Sequence, residues 1–533
     1  MNLSKALGIL SKSSPYAVST EKNNLDHIYD VYKKRLFIET EIEKDFKRKL
    51  ISLNKNDILF LCGSSGDGKS EILTKYSKEF QSTRDFHLDA THSFSPTQTA
   101  IQALDKRFSD SKDSGKPLVI GINTGMLGNY AQEGSDEHDD IKVTIRDYLT
   151  GKKNISSKKC YFIDFENYPK FSLEIDGEIS HFVRTLLNNL TEPKENNPFF
   201  ILYKKEINLN GHSKLAVNFL LLSKRSIQNA IIKLLLKVRL IKNQFMTARS
   251  LLDLCYQLLT SENYLFDKLF VGGDNEILAK IQTFDPSNIH TFAIDQFKLR
   301  SNHGIESEEF RFFKEGIKKY SIKNIDKTES FLRLMYILNE EEYLFTKSLL
   351  DIRKDFVNDL IEKYSFYWDV HYKFNNVAPE RKNINSFYKD ILINALHFYI
   401  NKHSPKLNKD EFLISNQNNY EIISSISIDP DYINIQNGIV DKIEFFHAYL
   451  IIDGEHRINR IPININFLEL LIKITKGYRP SKHDKNAVLL LDEIMKQVID
   501  IANKKNTIHI KNNNKRYKLT RKNDDYIEIS GIE

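Results

Sequence analysis

Apolar residues recur with two rhythms along this chain: short continuous runs in the first third, and three- and four-residue spacing over most of the remaining length. Ile58-Leu-Phe-Leu-Cys62, Leu118-Val-Ile-Gly-Ile122 and Cys160-Tyr-Phe-Ile163 are runs of strand length, the pattern of strands buried on both faces. A shorter run stands at Asp85-Phe-His-Leu-Asp89-Ala90. Between these runs the chain takes helical spacing, after Lys69, over Thr97–Phe108 and around Ile141–Leu149. The resulting β-α-β-α-β-α-β alternation predicts a parallel, doubly wound sheet with helices on both faces.

Farther on, Leu220–Ile241 and Met246–Leu259 carry apolar residues at i, i+3 and i+4 and predict two amphipathic helices, a helical lid over the sheet. Thr247 is placed to cap the second of them. From about 280 to 410 the spacing stays helical, and the aromatics of Phe310–Phe313, Phe331–Tyr336 and Phe366–Asp369 read as core. Asp285, in Phe284-Asp-Pro286, marks a turn and a cap. After 415 the pattern changes to strands over Tyr420–Ile428, Phe445–Ile452 and His456–Ile465, then helices near Phe467–Thr475 and Ala487–Ala502. The tail alternates as Thr507–Ile510, Tyr517–Thr520 and Tyr526–Ile529, a small meander. The expected organisation is an N-terminal helical segment 1–45, an α/β core 46–210, a helical lid 211–300, a helical domain 301–414 and an α+β domain 415–533.

Composition narrows this picture. With 533 residues, 41% hydrophobic and 28% charged, the chain can bury several cores and lies outside the composition of disorder. No apolar run approaches the roughly 18 residues of a membrane span, and the first ten residues lack a signal-peptide core, so a cytoplasmic protein is expected. Cys62, Cys160 and Cys255 are far apart, which argues against a disulfide framework or a zinc site. A net charge of +6 is too dilute to imply nucleic-acid binding by itself. The exception is local: residues 504–522 hold eight Lys and Arg and no acid, a cluster suited either to nucleic-acid phosphates or to protecting a solvated strand edge.

The chemistry concentrates at Gly63-Ser-Ser-Gly66-Asp-Gly68-Lys69-Ser70, which matches G-x-x-x-x-G-K-[ST] between an apolar strand and a helical stretch. Glycines let the backbone turn its N–H groups inward, the next helix presents its positive end, Lys69 reaches the β and γ phosphates and Ser70 places a hydroxyl on Mg²⁺. The predicted ATP-binding set is Gly63, Ser64, Ser65, Gly66, Asp67, Gly68, Lys69, Ser70 and Glu71. A P-loop enzyme also needs a strand-end acid to support the metal. Asp164 is the favoured candidate and Asp89 the second, while the strand 118–123 ends in Asn123, a candidate polar sensor of the γ-phosphate; for each of the three the competing reading is a strand-end turn or cap residue. Arg249, in the first turn of a helix where a cation is disfavoured, is a candidate for a γ-phosphate contact; a solvated or ion-paired arginine is the competing reading. Asp369 with Glu380-x-Lys382 only loosely suggests a nuclease carboxylate set, since the tripeptide comes after Pro379 and lies on no evident strand.

Taken in order, Leu61–Ile72, Asp89-Ala-Thr-His-Ser-Phe94, Gly121-Ile-Asn-Thr-Gly125, Asp164-Phe-Glu-Asn-Tyr-Pro169 and Phe284-Asp-Pro286 resemble the DptF family, the ATPase-like subunits of DNA phosphorothioation-dependent restriction systems. The resemblance implies a P-loop NTPase that acts with DptG- and DptH-like subunits against DNA lacking the sulfur-modified backbone. It implies DNA contact through that complex, with the segment 504–522 as a candidate contributor, and a cut made elsewhere than in this chain. The strand ending in Asn123 departs from ordinary acid-bearing ATPases.

Overall fold

The computed structural model describes residues 1–14, 27–91, 93, 97–150, 152, 159–168, 170–173, 177–357, 359–417, 420–512, 515–523 and 526–532. His92 and Phe94 of the expected string 89–94, and Pro169 of the string 164–169, lie outside the described residues.

Three helices, α1 (Leu3–Leu7), α2 (His27–Leu36) and α3 (Glu41–Ser52), precede an α/β arrangement. It runs β1 (Ile58–Cys62), α4 (Lys69–Phe80), β2 (Asp85–His87), α5 (Ala100–Ser114), β3 (Leu118–Ile122), α6 (Thr124–Glu133), α7 (Asp139–Leu149) and β4 (Cys160–Asp164). The four strands form one all-parallel sheet in the order β2-β3-β1-β4, with Ile58 level with both Leu118 and Cys160.

That order reflects crossover handedness. The step from β1 to β2 moves one way across the sheet and the next two steps move back, so right-handed connections put α4 on one face and α5, α6 and α7 on the other. The core divides accordingly. Ile58, Phe60 and Cys62 face Leu104, Phe108, Tyr130 and Ile145 of α5 to α7. Leu59 and Leu61 face Phe46 of α3 and Leu73 and Tyr76 of α4. Every residue of β1 and β3 is buried, which explains why their sequences read as unbroken apolar runs. The helix expected over 97–108 starts later and runs longer, because the Thr99–Gln102 capping box begins α5 and Gly115, in a left-handed conformation, ends it.

Gly121 makes room on the α4 face of β3. A Cβ there would lie 2.4 Å from Leu73 Cδ1 on α4 and 2.6 Å from the Leu88 carbonyl oxygen. The chain beyond β2 thereby lies flat on β3, and the Ala90 N–H donates to the Gly121 carbonyl at 2.9 Å.

Past the sheet come α8 (His181–Thr191), α9 (Pro198–Asn210), α10 (Lys214–Leu222), α11 (Arg225–Ile241) and α12 (Ala248–Thr260), with further helices to Asp355. The chain divides into two units, 1–171 with 179–357, and 172–178 with 358–533. The helix Asp359–Tyr372 belongs with the C-terminal strands, since the Tyr364 hydroxyl and the Trp368 indole N–H donate to the carbonyls of Ile443 and Lys442.

The second unit holds β5 (Glu411–Gln417), β6 (Tyr420–Ser425), β7 (Ile428–Pro430), β8 (Phe446–Ala448), β9 (Leu450–Ile452), β10 (His456–Arg457), β11 (Ile461–Ile463), β12 (Thr507–Asn512), β13 (Lys515–Asn523) and β14 (Tyr526–Ile532). The expected tail meander is present as part of an antiparallel sheet in the order β14-β13-β12-β6-β5. Among the described residues no helix is long and apolar enough to cross a membrane.

Candidate functional site

All four parallel strands end at one edge of their sheet, and the polar residues that stand out in the sequence lie at or just past those ends. In open α/β sheets this carboxyl edge, where connections diverge to opposite faces, is where ligands bind. Gly63–Gly68 comes after β1, Asp89 after β2 and Asn123 after β3, and Asp164 closes β4.

The glycine-rich loop turns through Gly66 and Gly68, whose φ angles are +86° and +106°, and leads directly into α4. Among the described residues, the amides of Gly66, Gly68, Lys69 and Ser70 have no acceptor. Amides without acceptors at the positive end of a helix dipole are the kind of donor that an anion takes up. Lys69 adds an ammonium, which donates to the carbonyls of Gly63 and Ser64 at 2.8 Å each. Burial lowers the Lys69 pKa from the ordinary lysine value, and the carboxylates of Asp67, Asp89 and Asp164 pull the other way. Both candidate acids therefore act on the same ammonium. The donor set fits a phosphate group: an anion can take the four open amides and draw Lys69 off two neutral carbonyls.

Two members of the predicted binding set do something else. The Asp67 side chain is fully buried and turns back along the loop, accepting the Ser64 N–H at 2.7 Å and pairing with Lys170 Nζ at 3.4 Å. The Ser64 amide is thus taken up by the loop itself. The Lys170 ammonium also lies 5.5 Å from the Phe245 ring centroid, just ahead of α12. Ser65 and Glu71 are exposed, Glu71 in the first turn of α4, and Ser70 is half-buried beside Lys69.

Asp164 is level with Cys62 across the β1–β4 pair. Its Oδ1 accepts the Glu166 N–H at 3.0 Å and its Oδ2 accepts the Tyr148 hydroxyl. The Tyr148 ring stacks on Phe162 at 4.1 Å, and Phe162 stacks in turn on Phe60 of β1 at 4.9 Å. Burial and the Asp164 hydrogen bond together push the Tyr148 hydroxyl well above its ordinary pKa, so it stays a donor. Burial likewise raises the Cys62 thiol, keeping it neutral at the base of the loop. Asp89 Oδ1 accepts from the Thr91 N–H and hydroxyl at 3.0 and 2.7 Å. Asn123 caps α6, its Oδ1 accepting the Met126 N–H at 2.7 Å. Among the described residues no three His, Cys, Asp or Glu side chains converge as a metal site.

Arg249 reaches the loop, but by its backbone: its N–H donates to the Gly66 carbonyl at 3.1 Å, while its guanidinium Nη2 donates to the Lys12 carbonyl at 2.8 Å. Thr247 caps α12 as expected. Sequence reading missed Tyr148 and Lys170, whose roles depend on contacts 16 and 103 residues away.

The other two candidate regions have different characters. Asp369 lies on the helix 359–372 beside Lys373, and Glu380 lies on the helix Ala378–Phe387, where it accepts the Asn375 N–H. Of the eight basic residues of 504–522, Lys505, Lys511, Arg516 and Lys522 pair with Asp453, Glu421, Glu411 and Glu528 of the same unit. Residues 513 and 514 of that segment lie outside the described residues.

Fold and site together define an α/β unit with a glycine-rich loop at the carboxyl edge of its parallel sheet. Comparison with protein-family models, curated proteins and solved structures finds no match to this chain.

Proposed function

We propose that the chain is an ATP-binding P-loop NTPase subunit of a phosphorothioation-dependent restriction complex, which couples nucleotide binding or hydrolysis to restriction of unmodified foreign DNA. The observation that carries the nucleotide part is the loop itself, four amides without acceptors and a lysine ammonium at the end of a buried parallel strand. The assignment to restriction rests on the ordered strings 61–72, 89–94, 121–125, 164–169 and 284–286. DptG- and DptH-like subunits are the expected partners, and DNA is engaged through them.

In this reading the amides of Gly66, Gly68, Lys69 and Ser70 hold the phosphates, and Lys69 leaves the carbonyls of Gly63 and Ser64 to neutralise them. Mg²⁺, when bound, would supply positive charge to offset what develops on the phosphates during transfer. Ser70 would hold that ion directly and Asp164 or Asp89 through water. Tyr148 and the Glu166 amide keep the Asp164 carboxylate in one orientation. The chain provides switching or energy rather than the cut.

A second reading, an ATP-locked scaffold or sensor without turnover, is favoured by one feature. β3, directly beside β1, ends in Asn123, and the side-chain oxygen of that residue is occupied in capping α6. Phosphate release and ATP binding by the purified chain, beside Lys69→Ala, separate the two. Turnover lost in the variant supports the enzyme. Binding without turnover, lost in the variant, supports the scaffold, and no binding in the parent chain refutes both.

A further inference from the structure

Arg249 stands between two parts of the first unit that are far apart in sequence. Its N–H holds the Gly66 carbonyl at 3.1 Å, and its guanidinium holds the Lys12 carbonyl at 2.8 Å. The approach at the loop is close: a Cβ on Gly66 would lie 3.0 Å from Arg249 Cβ and 3.2 Å from Thr247 Oγ1. The start of α12 is therefore seated on the loop backbone through a position that only glycine fits.

On the other side of Arg249, residues 2–12 are clamped to the same helix. Leu3, Ala6, Leu7, Ile9 and Leu10 are buried. Lys12 closes the segment with three bonds, its carbonyl to Arg249, its N–H to Asp253 Oδ1 at 2.9 Å and its ammonium to the Asp274 carbonyl at 2.8 Å. Asp253 is itself buried and braced by Gln257 and Asn275, at 3.0 and 2.8 Å. Among the described residues the Arg249 guanidinium has no carboxylate partner, and its buried Nε has no partner at all. An arginine held only by a carbonyl is a weaker anchor than an ion-paired one, and so more responsive to its neighbours.

We infer that Arg249 is a positioning residue that makes residues 2–12 a latch, one that tightens when a phosphate-bearing ligand fills the glycine-rich loop. This rests on the nucleotide reading above. The Gly66 carbonyl that Arg249 holds belongs to the Gly66–Asp67 peptide, whose N–H donates to the Ser64 carbonyl at 3.3 Å, and the peptides on either side of it carry the Gly66 and Gly68 amides, which among the described residues have no acceptor. An anion on those amides fixes the peptides on both sides and so restrains the carbonyl between them. The start of α12 and the Lys12 bond then lose less entropy on ordering, which is positive coupling without a large movement. By reciprocity a loosened latch weakens the ligand by the same factor.

Hydrogen exchange of the full chain tests this, with and without Mg²⁺ and a non-hydrolysable ATP analogue. The ligand is expected to slow exchange in 63–72, and also in 3–12 by about five-fold or more. Arg249→Ala should keep the slowing in 63–72 and lose it in 3–12. Lys12→Ala, which removes only the bond to Asp274, should raise basal exchange in 3–12 yet keep the response, and it serves if the arginine variant fails to fold. A protected loop with an unchanged 3–12 overturns the latch and leaves nucleotide binding standing, and so does an Arg249→Ala chain that still responds. Protection nowhere overturns the nucleotide reading and the latch with it.

Discussion

The glycine-rich loop and the basic tail sheet both stand out in the sequence as dense clusters of polar residues, and the fold treats them in opposite ways. At the loop the amides of Gly66, Gly68, Lys69 and Ser70 have no acceptor among the described residues, and the Lys69 ammonium rests on neutral carbonyls. In the tail sheet Lys505, Lys511, Arg516 and Lys522 find acids on the same unit, and Glu411, buried at 5% exposure, is one of those acids. Burial would raise the Glu411 carboxyl, but Arg516 and the Asn408 amide overcome this and hold it low. A ligand site is recognised by polar groups left unsatisfied at a fixed position, and local charge density does not report that. Four tail cations already have the neutralisation that a nucleic-acid phosphate would offer.

The strongest way to break the comparison is to exchange the two kinds of lysine. Lys69→Ala should weaken Mg-ATP by on the order of 3 kcal/mol, about a hundred-fold, whereas Lys518→Ala should leave affinity unchanged; titration calorimetry of both variants decides it. The lowered Lys69 pKa adds a sign: affinity should fall as pH rises through that lowered value, at less alkaline pH than for an ordinary lysine. A flat affinity from neutral pH upward would contradict it.

Gly121→Ala should destabilise the first unit by about 2–3 kcal/mol, because the new methyl meets Leu73 and the Leu88 carbonyl at well under van der Waals distance. Chemical denaturation of the full chain would show the loss in the first unit's transition only. Arg516→Ala should cost the second unit about 2 kcal/mol by leaving the buried Glu411 carboxylate unpaired, against less than about 0.5 for exposed Lys518→Ala. Equal effects of the two variants would mean that the pairing in the sheet contributes nothing. Smallest is Tyr148→Phe, which frees one oxygen of Asp164. A cost of about 1 kcal/mol in nucleotide turnover, with binding retained, is expected if that hydroxyl orients the acid.

Much of the first unit is legible because its signals are local. Strands buried on both faces must be apolar throughout, and β1 and β3 are. The loop, its glycines and the Thr247 cap are likewise defined within a few residues. The illegible parts depend on pairing at a distance. Asp67 belongs to the loop motif, yet its carboxylate serves Ser64 and Lys170 rather than facing a ligand. Arg249 stands out in the sequence as an arginine in an unfavourable place on a helix, and the Lys12 carbonyl that explains it lies 237 residues upstream. The helix 359–372 has the same aromatic periodicity as those before it, and periodicity does not say which core a helix joins. Tyr364 and Trp368 settle that through carbonyls more than 70 residues downstream.

The strand order also sets a timetable. β1 leaves the ribosome first of the four, but its two neighbours are β3 and β4, so it has no partner until residues 118–122 have been made and no second one until 160–164. During that interval five consecutive apolar residues wait with unpaired backbone groups, the circumstance in which nascent chains attract chaperones or one another. Slowing translation between those two points is therefore expected to change the yield more than slowing it anywhere in the later helices, which expression of the two recoded genes would check.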